Sequence, residues 1–320
     1  MSDVAARSTQ TRPQASLARA LPYALYDAFS ETAFGGSQAA IVSDAGSLDD
    51  AVRSRIVREM DLPAVCFVTG VEGDRVTASF RSTVMELPMC GHGTVALMTR
   101  MIELGALDWR GGARIEVALS LPSGEAAVTL ERRADGRPLV MLQVRPPAFR
   151  QDDLDLERLA HLLGLESGDF AAGRPVETAV GDFVHLVVPL RNLAAMRKAA
   201  PDFAGLTSFC RDHGLETVSL FSSEVERPGS TLHVRDFCPA VGVAESAAAG
   251  TTNAALAGYL IRHGLVRPNG DGRIEIQAEQ GHEIGRPSTI RTLADLDGDA
   301  IVSLQVGGVA TKVVDGLLHL

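Results

Sequence analysis

Two segments of the chain, residues 86–105 and 245–264, carry the same motif. The aligned pairs are Glu86 with Glu245, Gly91 with Gly250, Ala96 with Ala255, Leu97 with Leu256, and Gly105 with Gly264. An almost wholly apolar run follows Gly91 and another follows Gly250, and such a run is too apolar for a surface helix. The repeat therefore predicts two similar halves, each containing one buried helix.

The start of each buried helix predicts an anion site. The first turn of a helix leaves N–H groups without acceptors at the positive end of the helix dipole, and a carboxylate satisfies both. Gly91 and Gly250 leave room for a ligand to approach the main chain. Cys90 stands where a helix end lowers a thiol pKa. The alternative is structural, because Thr94 or Thr251 can cap an ordinary helix and buried cysteines are mostly inert.

Length and composition restrict the class of protein. The chain has 320 residues, is 46% hydrophobic and carries a net charge of -10, which fits a two-half globular protein and argues against nucleic acid as a partner. It contains neither a run of 18 apolar residues nor a secretory leader, so we expect a cytoplasmic protein with no membrane partner.

Cysteine and histidine spacing gives no sign of a metal site. The four cysteines and eight histidines are scattered, with no CxxC or HExxH pair. Glycine-rich nucleotide motifs are absent as well. We therefore expect no metal and no cofactor.

The pattern of apolar, polar and turn residues along the chain predicts the domain organisation. Residues 1–20 are expected to be a loose tail, residues 21–148 an N-terminal half and residues 149–299 a C-terminal half. Residues 150–173 are expected to be a polar, helical crossover, and one helix is predicted over residues 193–212. The fold class is therefore α/β, with a curled sheet around one apolar helix in each half and the site in the cleft between them.

Several motifs identify a family resemblance. They are Tyr26–Phe29, Cys90–Thr94, Arg235–Pro239, Gly242–Glu245, Gly250–Thr251 and Glu279–Ser288. With them the chain resembles the PhzF-like proteins of phenazine biosynthesis, over roughly residues 23 to 316. The resemblance implies the diaminopimelate-epimerase fold, with mostly antiparallel sheets, and a final segment, residues 300–320, that returns to the N-terminal half. It also implies a homodimer.

The chain departs from that family at two expected carboxylates. PhzF-like enzymes carry a catalytic glutamate where this chain has Ala64, and an aspartate where it has Ser246. Cys90 and its neighbours instead resemble the first cysteine motif of proline racemases and hydroxyproline epimerases. The second cysteine of those enzymes corresponds to Ala249, which disfavours a racemase that uses two thiols.

These considerations predict the site residues. Cys90 is the predicted proton-transferring group, His92 a nearby acid or base, and Glu86 a third catalytic candidate. A structural role beside its helix is the alternative for Glu86. The predicted substrate-binding residues are Gly91, Gly93, Thr94, Ser246, Gly250, Thr251 and Thr252.

Three functions follow from this site. The first is a cofactor-independent isomerase that moves a proton on a small carboxylate-bearing substrate. The second is a dehydratase or epimerase of a hydroxy amino acid, in which one cysteine abstracts the proton and the Thr251/Thr252 side assists loss of a hydroxyl. The third, motivated by Ala64 and Ser246, is a catalytically degenerate protein that only binds a ligand.

Overall fold

The computed structural model describes residues 20–320, so the tail predicted over residues 1–20 lies outside the described residues except for Ala20, which begins the first strand. The first half comprises β1 (Ala20–Ala28), β2 (Ser37–Val42), α1 (Asp50–Met60), β3 (Ala64–Glu72), β4 (Arg75–Arg81), β5 (Glu86–Leu87), α2 (Gly91–Glu103), β6 (Arg114–Leu121), β7 (Gly124–Arg132) and β8 (Pro138–Gln143).

The second half repeats this order of elements, with additional short helices. It comprises β9 (Ala148–Arg150), α3 (Leu156–Leu162), β10 (Glu177–Val180), β11 (Val184–Pro189), α4 (Leu193–Lys198), α5 (Phe203–His213), β12 (Thr217–Ser222), β13 (Leu232–Cys238), β14 (Val243–Ser246), α6 (Gly250–Arg262), β15 (Arg273–Gln280), β16 (Ser288–Asp297) and β17 (Ala300–Gly308). The last strand of the chain is β18 (Ala310–His319).

Strand pairing is the same in both halves. In the first half, β1 pairs antiparallel with β2, β2 parallel with β3, β3 antiparallel with β4, and β4 parallel with β6. In the second half, β10, β11, β12, β13 and β15 pair in the same sequence of directions. Antiparallel pairing of β8 with β17 joins the halves, and β18 pairs with β1. The predicted α/β fold class, with mostly antiparallel sheets, is confirmed.

The two apolar helices lie inside the molecule, as their sequences predict. Residues 93–101 of α2 and residues 252–260 of α6 are all buried, and apolar residues of both helices belong to one core cluster. The helices also contact each other. The shorter α3, α4 and α5 cover a separate core in the second half, and α1 covers a third core in the first half.

The single helix predicted over residues 193–212 is wrong, because the chain forms α4 and α5 with a break between them. Pro201 lacks an N–H and disfavours helical backbone at the residue before it. Asp202 then starts a new helix by accepting a hydrogen bond from Gly205 N at 3.2 Å. The end of α4 is held by Arg235, whose Nη1 donates to the carbonyl oxygens of Met196 and Ala199.

Candidate active site

The residue before α2 is Cys90, whose backbone is extended while its side chain caps the helix. Its Sγ accepts a hydrogen bond from Gly93 N at 3.3 Å, and its carbonyl oxygen accepts one from Thr94 Oγ1 at 2.8 Å. Both ring nitrogens of His92 lie 3.6 Å from the sulfur. Four predicted site residues therefore form one group at the start of α2.

Burial decides the protonation of this group. It raises the pKa of Cys90 to about 12, although the hydrogen bond from Gly93 N acts in the opposite direction. The prediction that the helix end lowers this pKa is therefore wrong, because desolvation of the thiolate outweighs one hydrogen bond. Burial also lowers the pKa of His92 to about 4. At neutral pH the group is a protonated thiol beside a neutral imidazole.

Glu86 occupies a different environment from the cysteine. Its Oε2 lies 3.2 Å from Arg81 Nη2, and its side chain is 43% exposed. The equivalent residue of the second half, Glu245, accepts two hydrogen bonds from Arg235 at 2.9 and 2.8 Å, and its side chain is 7% exposed. Each glutamate thus pairs with an arginine of the neighbouring strand, an arrangement that supports the loop before each helix.

The start of α6 lacks the cap that α2 has. Ala249 precedes the helix and offers no side-chain acceptor to the first-turn N–H groups, which begin with Gly250 and Thr251. Thr252 is buried and donates a hydrogen bond to Asp236 Oδ2 at 2.9 Å. Uncapped N–H groups of this kind can bind a carboxylate.

Ser246, also predicted to bind substrate, lies on the short strand β14. It pairs with Asp236 of β13, and its carbonyl oxygen accepts a hydrogen bond from Gln280 Nε2 at 2.8 Å. The same glutamine side chain accepts a hydrogen bond from Asn253 on α6. Ser246 is therefore tied to the start of α6 through its main chain.

A buried polar cluster beside α6 contains one predicted site residue, Thr252, and three residues that the sequence did not predict. It consists of His185, Thr217, Asp236 and Thr252, which are 3%, 4%, 1% and 0% exposed. Burial raises the pKa of Asp236 to about 6, against hydrogen bonds from Thr252, Cys238 and Thr217 that lower it. Burial lowers the pKa of His185 to about 4. The carboxylate of Asp236 within the segment that forms β13 was the signal available in the sequence, because such residues are rarely buried without a partner.

Two of the cavities in the described part of the chain border residues of the second half. One, of about 20 Å³, is bordered by Thr251 of α6, His185 of β11, and the loop residues Arg145 and Asp182. The other is an open groove of about 500 Å³ beside Arg235, over the link between α4 and α5. Cys90 borders neither of them.

Within residues 20–320, no three histidine, cysteine, aspartate or glutamate side chains are grouped so that they could hold a metal ion. Over the same part of the chain, each helix is too short or too polar to cross a membrane.

Comparison with known proteins identifies the family. The sequence pattern of the phenazine biosynthesis-like proteins matches residues 26–316. The chain belongs to this family. The resemblance inferred from the motifs is thereby confirmed.

One relative in this family is the trans-2,3-dihydro-3-hydroxyanthranilate isomerase of Pseudomonas chlororaphis. It is 31% identical over 288 residues, which cover 89% of this chain and 95% of the relative. Other relatives, such as one from Escherichia coli O157:H7 that is 25% identical over 89% of this chain and 93% of its own, are also named isomerases. These names support isomerase activity for this chain.

Solved structures show the same fold. The PhzF-family phenazine biosynthesis protein of Bacillus anthracis superposes with a TM-score of 0.84 at 22% identity, covering 94% of this chain and 100% of the other. A hydroxyproline epimerase from Agrobacterium vitis superposes with a TM-score of 0.63 at 12% identity, covering 94% and 93%. The diaminopimelate-epimerase-like fold is confirmed by these similarities.

Proposed function

We propose that the chain is an isomerase that moves a proton on a small carboxylate-bearing substrate without a cofactor. The observation that carries this proposal is the contact between Cys90 and His92 at the start of a buried helix. Both ring nitrogens of the imidazole lie 3.6 Å from the sulfur. A thiol that holds its proton and a neutral imidazole form a donor and an acceptor side by side.

The proposed reaction uses the two groups in opposite directions. His92 accepts a proton from one substrate carbon, and the Cys90 thiol gives its proton to another carbon of the resulting delocalised anion. The imidazolium and thiolate left behind are in contact, so the proton then passes from nitrogen to sulfur and restores the starting state. First-turn N–H groups at Gly91 and Gly250 stabilise the substrate carboxylate and the charge that develops on it.

The departures from PhzF-like enzymes support the assignment of His92 as the base and Cys90 as the acid. Ala64 is fully buried in the core, so no carboxylate is available at the position of the family glutamate. Ser246 likewise offers a hydroxyl in place of a carboxylate, and it cannot act as a base at neutral pH without activation. The proton transfer therefore falls to Cys90 and His92.

Deuterium incorporation in D2O tests the proposal. Amino acids, hydroxy acids and unsaturated acids are incubated with the protein, and exchange at carbon is followed by NMR. We expect Cys90→Ser and His92→Gln each to reduce the rate by about 100-fold or more. Cys210→Ser, at a buried cysteine of α5 that belongs to a different core cluster, is the control and should retain the wild-type rate per folded molecule. Full activity of Cys90→Ser would exclude the proposed role of the thiol.

A dehydratase is the second candidate, and the polar cluster at α6 favours it. Thr252 joins this helix to Asp236, whose pKa burial raises to about 6, so a proton is available on this side below that pH. In such an enzyme the same abstraction is followed by loss of a β-hydroxyl. Release of water with formation of a keto acid and ammonia would identify a dehydratase, whereas exchange without release would identify the isomerase. A third outcome, carboxylate binding without exchange or release, would identify a ligand-binding protein.

A further inference from the structure

Strand register shows which residues of the two halves are equivalent. In the first half, Phe80 of β4 pairs with Leu87 of β5, and in the second half Asp236 of β13 pairs with Ser246 of β14. In each half the next pair along the ladder contains a glutamate. Arg81 pairs with Glu86, and Phe237 pairs with Glu245. Since Glu86 and Glu245 are equivalent in the repeated motif, Phe80 and Asp236 are equivalent too.

The same comparison identifies three further equivalent pairs. Ala39 of β2 lies opposite Ala64, and His185 of β11 lies opposite Thr217, at the start of the corresponding parallel pairing. The repeated motif pairs Gly93 with Thr252. At these four positions the first half has Ala39, Ala64, Phe80 and Gly93, whereas the second half has His185, Thr217, Asp236 and Thr252.

Burying His185, Thr217, Asp236 and Thr252 costs free energy, and this cost indicates that they have a function. Buried polar groups are nearly always hydrogen-bonded, and exceptions require an explanation. Here His185 Nε2 and Asp236 Oδ1 are buried and have no partner. The equivalent positions of the first half show that this fold needs no polar groups there. His185 also borders the 20 Å³ cavity next to Thr251.

Hydrogen bonds fix the orientation of the imidazole. Thr252 Oγ1 donates to Asp236 Oδ2 at 2.9 Å, so its oxygen can only accept from His185 Nδ1, which lies 3.4 Å away. The proton that Nδ1 must therefore carry is also shared with the Thr217 hydroxyl oxygen, which lies 2.7 Å from the same nitrogen. A proton on Nδ1 leaves a free lone pair on Nε2, which is buried without a hydrogen-bond partner on a residue that borders the cavity.

We propose that His185 is a general base on the α6 side of the site, with Nε2 accepting a proton from an O–H group that occupies the cavity. Thr217, Thr252 and Asp236 are positioning residues, which hold the tautomer and balance the charge of the imidazolium that forms. The cavity has room for one water-sized group. The O–H group is therefore a water molecule or a single hydroxyl of a substrate whose remainder lies outside the cavity. This inference rests on the proposed proton-transfer function and adds a second base to it.

Proton transfer from the O–H group to His185 Nε2 breaks one bond and forms one. The O–H bond of the ligand breaks and a bond to Nε2 forms, while Nδ1 keeps its proton and its hydrogen bond to Thr217. The positive imidazolium then faces the Asp236 carboxylate through the Thr252 hydroxyl. Returning the proton to the oxygen, or to solvent, restores the neutral ring.

NMR of the wild-type protein labelled with ¹⁵N-histidine tests the tautomer without any substrate. We expect His185 to carry its proton on Nδ1 at pH 7.5. Acetate and glycolate then distinguish the two ligands, because only glycolate adds a hydroxyl. A shift of the Nε2 resonance with glycolate alone supports a substrate hydroxyl, whereas a shift with neither, together with a water contact to the ring, supports bound water. A proton on Nε2 would overturn the inference.

Variants test the role in turnover. His185→Asn keeps a donor near the Nδ1 position and removes Nε2, so we expect kcat for deuterium exchange to fall by about 100-fold with KM changed less than threefold. His263→Asn, at the far end of α6, is the matched control and should keep the wild-type kcat. If His185→Asn fails to fold, His185→Gln, which keeps a polar group near Nε2 but cannot take a proton, provides the same comparison. Wild-type kcat in a folded His185 variant would overturn the inference.

Asp236→Asn separates a positioning role from a structural one. The groups that face Asp236 are Thr217 of β12, Thr252 of α6, Cys238 of β13 and Glu245 of β14, with His185 of β11 behind the threonines. We expect the activity of the wild-type protein to fall below about pH 6, where Asp236 becomes protonated. This fall should be absent in Asp236→Asn, whose kcat should be lower than that of the wild type. An unchanged acid limb would contradict the role of Asp236. Cys90→Ser is measured in parallel, because full exchange there defeats the proposed function and leaves the tautomer result to decide on His185.

Discussion

Arg286 of the second half donates a hydrogen bond from Nη2 to Oδ1 of Asp27 in the first half, over 2.7 Å. The same guanidinium donates to the carbonyl oxygens of Gly35 and Gly36, both at 2.8 Å. The other oxygen of the carboxylate accepts a hydrogen bond from Phe34 N at 2.6 Å. Asp27 is only 1% exposed, so this contact satisfies a buried charge where the loop between β15 and β16 meets the loop between β1 and β2.

Replacing this arginine should therefore be costly. Arg286→Ala leaves a buried carboxylate without its cation, and we expect the free energy of unfolding to fall by about 3–5 kcal/mol. Urea titration followed by circular dichroism measures the change. Arg273→Ala is the control, because its ion pair with Asp295 is 42% exposed on both sides and should contribute at most about 1 kcal/mol. Equal losses in the two variants would contradict the assignment of a buried pair.

The uncapped start of α6 gives a second prediction. Asp49, Asp155, Asn192 and Asp202 cap α1, α3, α4 and α5 through their side chains, whereas Ala249 before α6 has extended backbone and no acceptor. Ala249→Ser should add a cap and raise the free energy of unfolding by about 1 kcal/mol. It should also weaken acetate binding at this helix start, because the new hydroxyl oxygen occupies an N–H group that the anion would use.

Thermal unfolding and an NMR titration with acetate measure the two effects. Ala51→Ser, at an exposed position in the first turn of the already capped α1, is the matched control and should slightly destabilise the protein. Tighter acetate binding in Ala249→Ser would argue against an anion site at the start of α6.

The sequence predicts part of this site and misses the rest for physical reasons. The buried helices are predictable because their segments are apolar on every face, which a surface helix is not. Cys90 and His92 are close in the sequence, so their contact is local. His185, Thr217 and Asp236 come from three strands, and only the register of those strands brings them together. The shift in the pKa of Cys90 was predicted in the wrong direction, because the expectation that a helix end lowers a thiol pKa takes no account of burial.

Gly93 gives a third prediction, on the packing behind the cysteine. A Cβ added at this position would lie 2.8 Å from two atoms of the Phe80 ring and 2.9 Å from Cys90 Sγ. Gly93→Ala should therefore destabilise the protein by about 1–3 kcal/mol and displace the sulfur from the main-chain N–H that it caps. Gly91→Ala is the matched control, since a Cβ there meets no atom within 4 Å. Urea titration compares them, and equal stability of the two variants would contradict the close packing.

The raised pKa of Cys90 gives the last prediction, on its reactivity. A free thiol with a pKa of about 8.5 is roughly one-tenth thiolate at pH 7.5, and the thiolate is the reactive form. With a pKa of about 12, Cys90 has several thousand times less thiolate at that pH. Iodoacetamide should therefore label Cys90 far more slowly in the folded protein than in urea, and the rate should rise about tenfold per pH unit between pH 8 and 10.

Mass spectrometry of the peptide that contains Cys90 measures the labelling at each pH. Burial also raises the pKa of Cys210, to about 11, so its peptide is an internal reference that should respond to pH in the same way. Rapid labelling of Cys90 alone at pH 7.5 would mean that the helix end outweighs burial after all. The thiol would then be ionised in the resting protein, and Cys90 would act as the base of the proposed reaction while His92 supplied the proton.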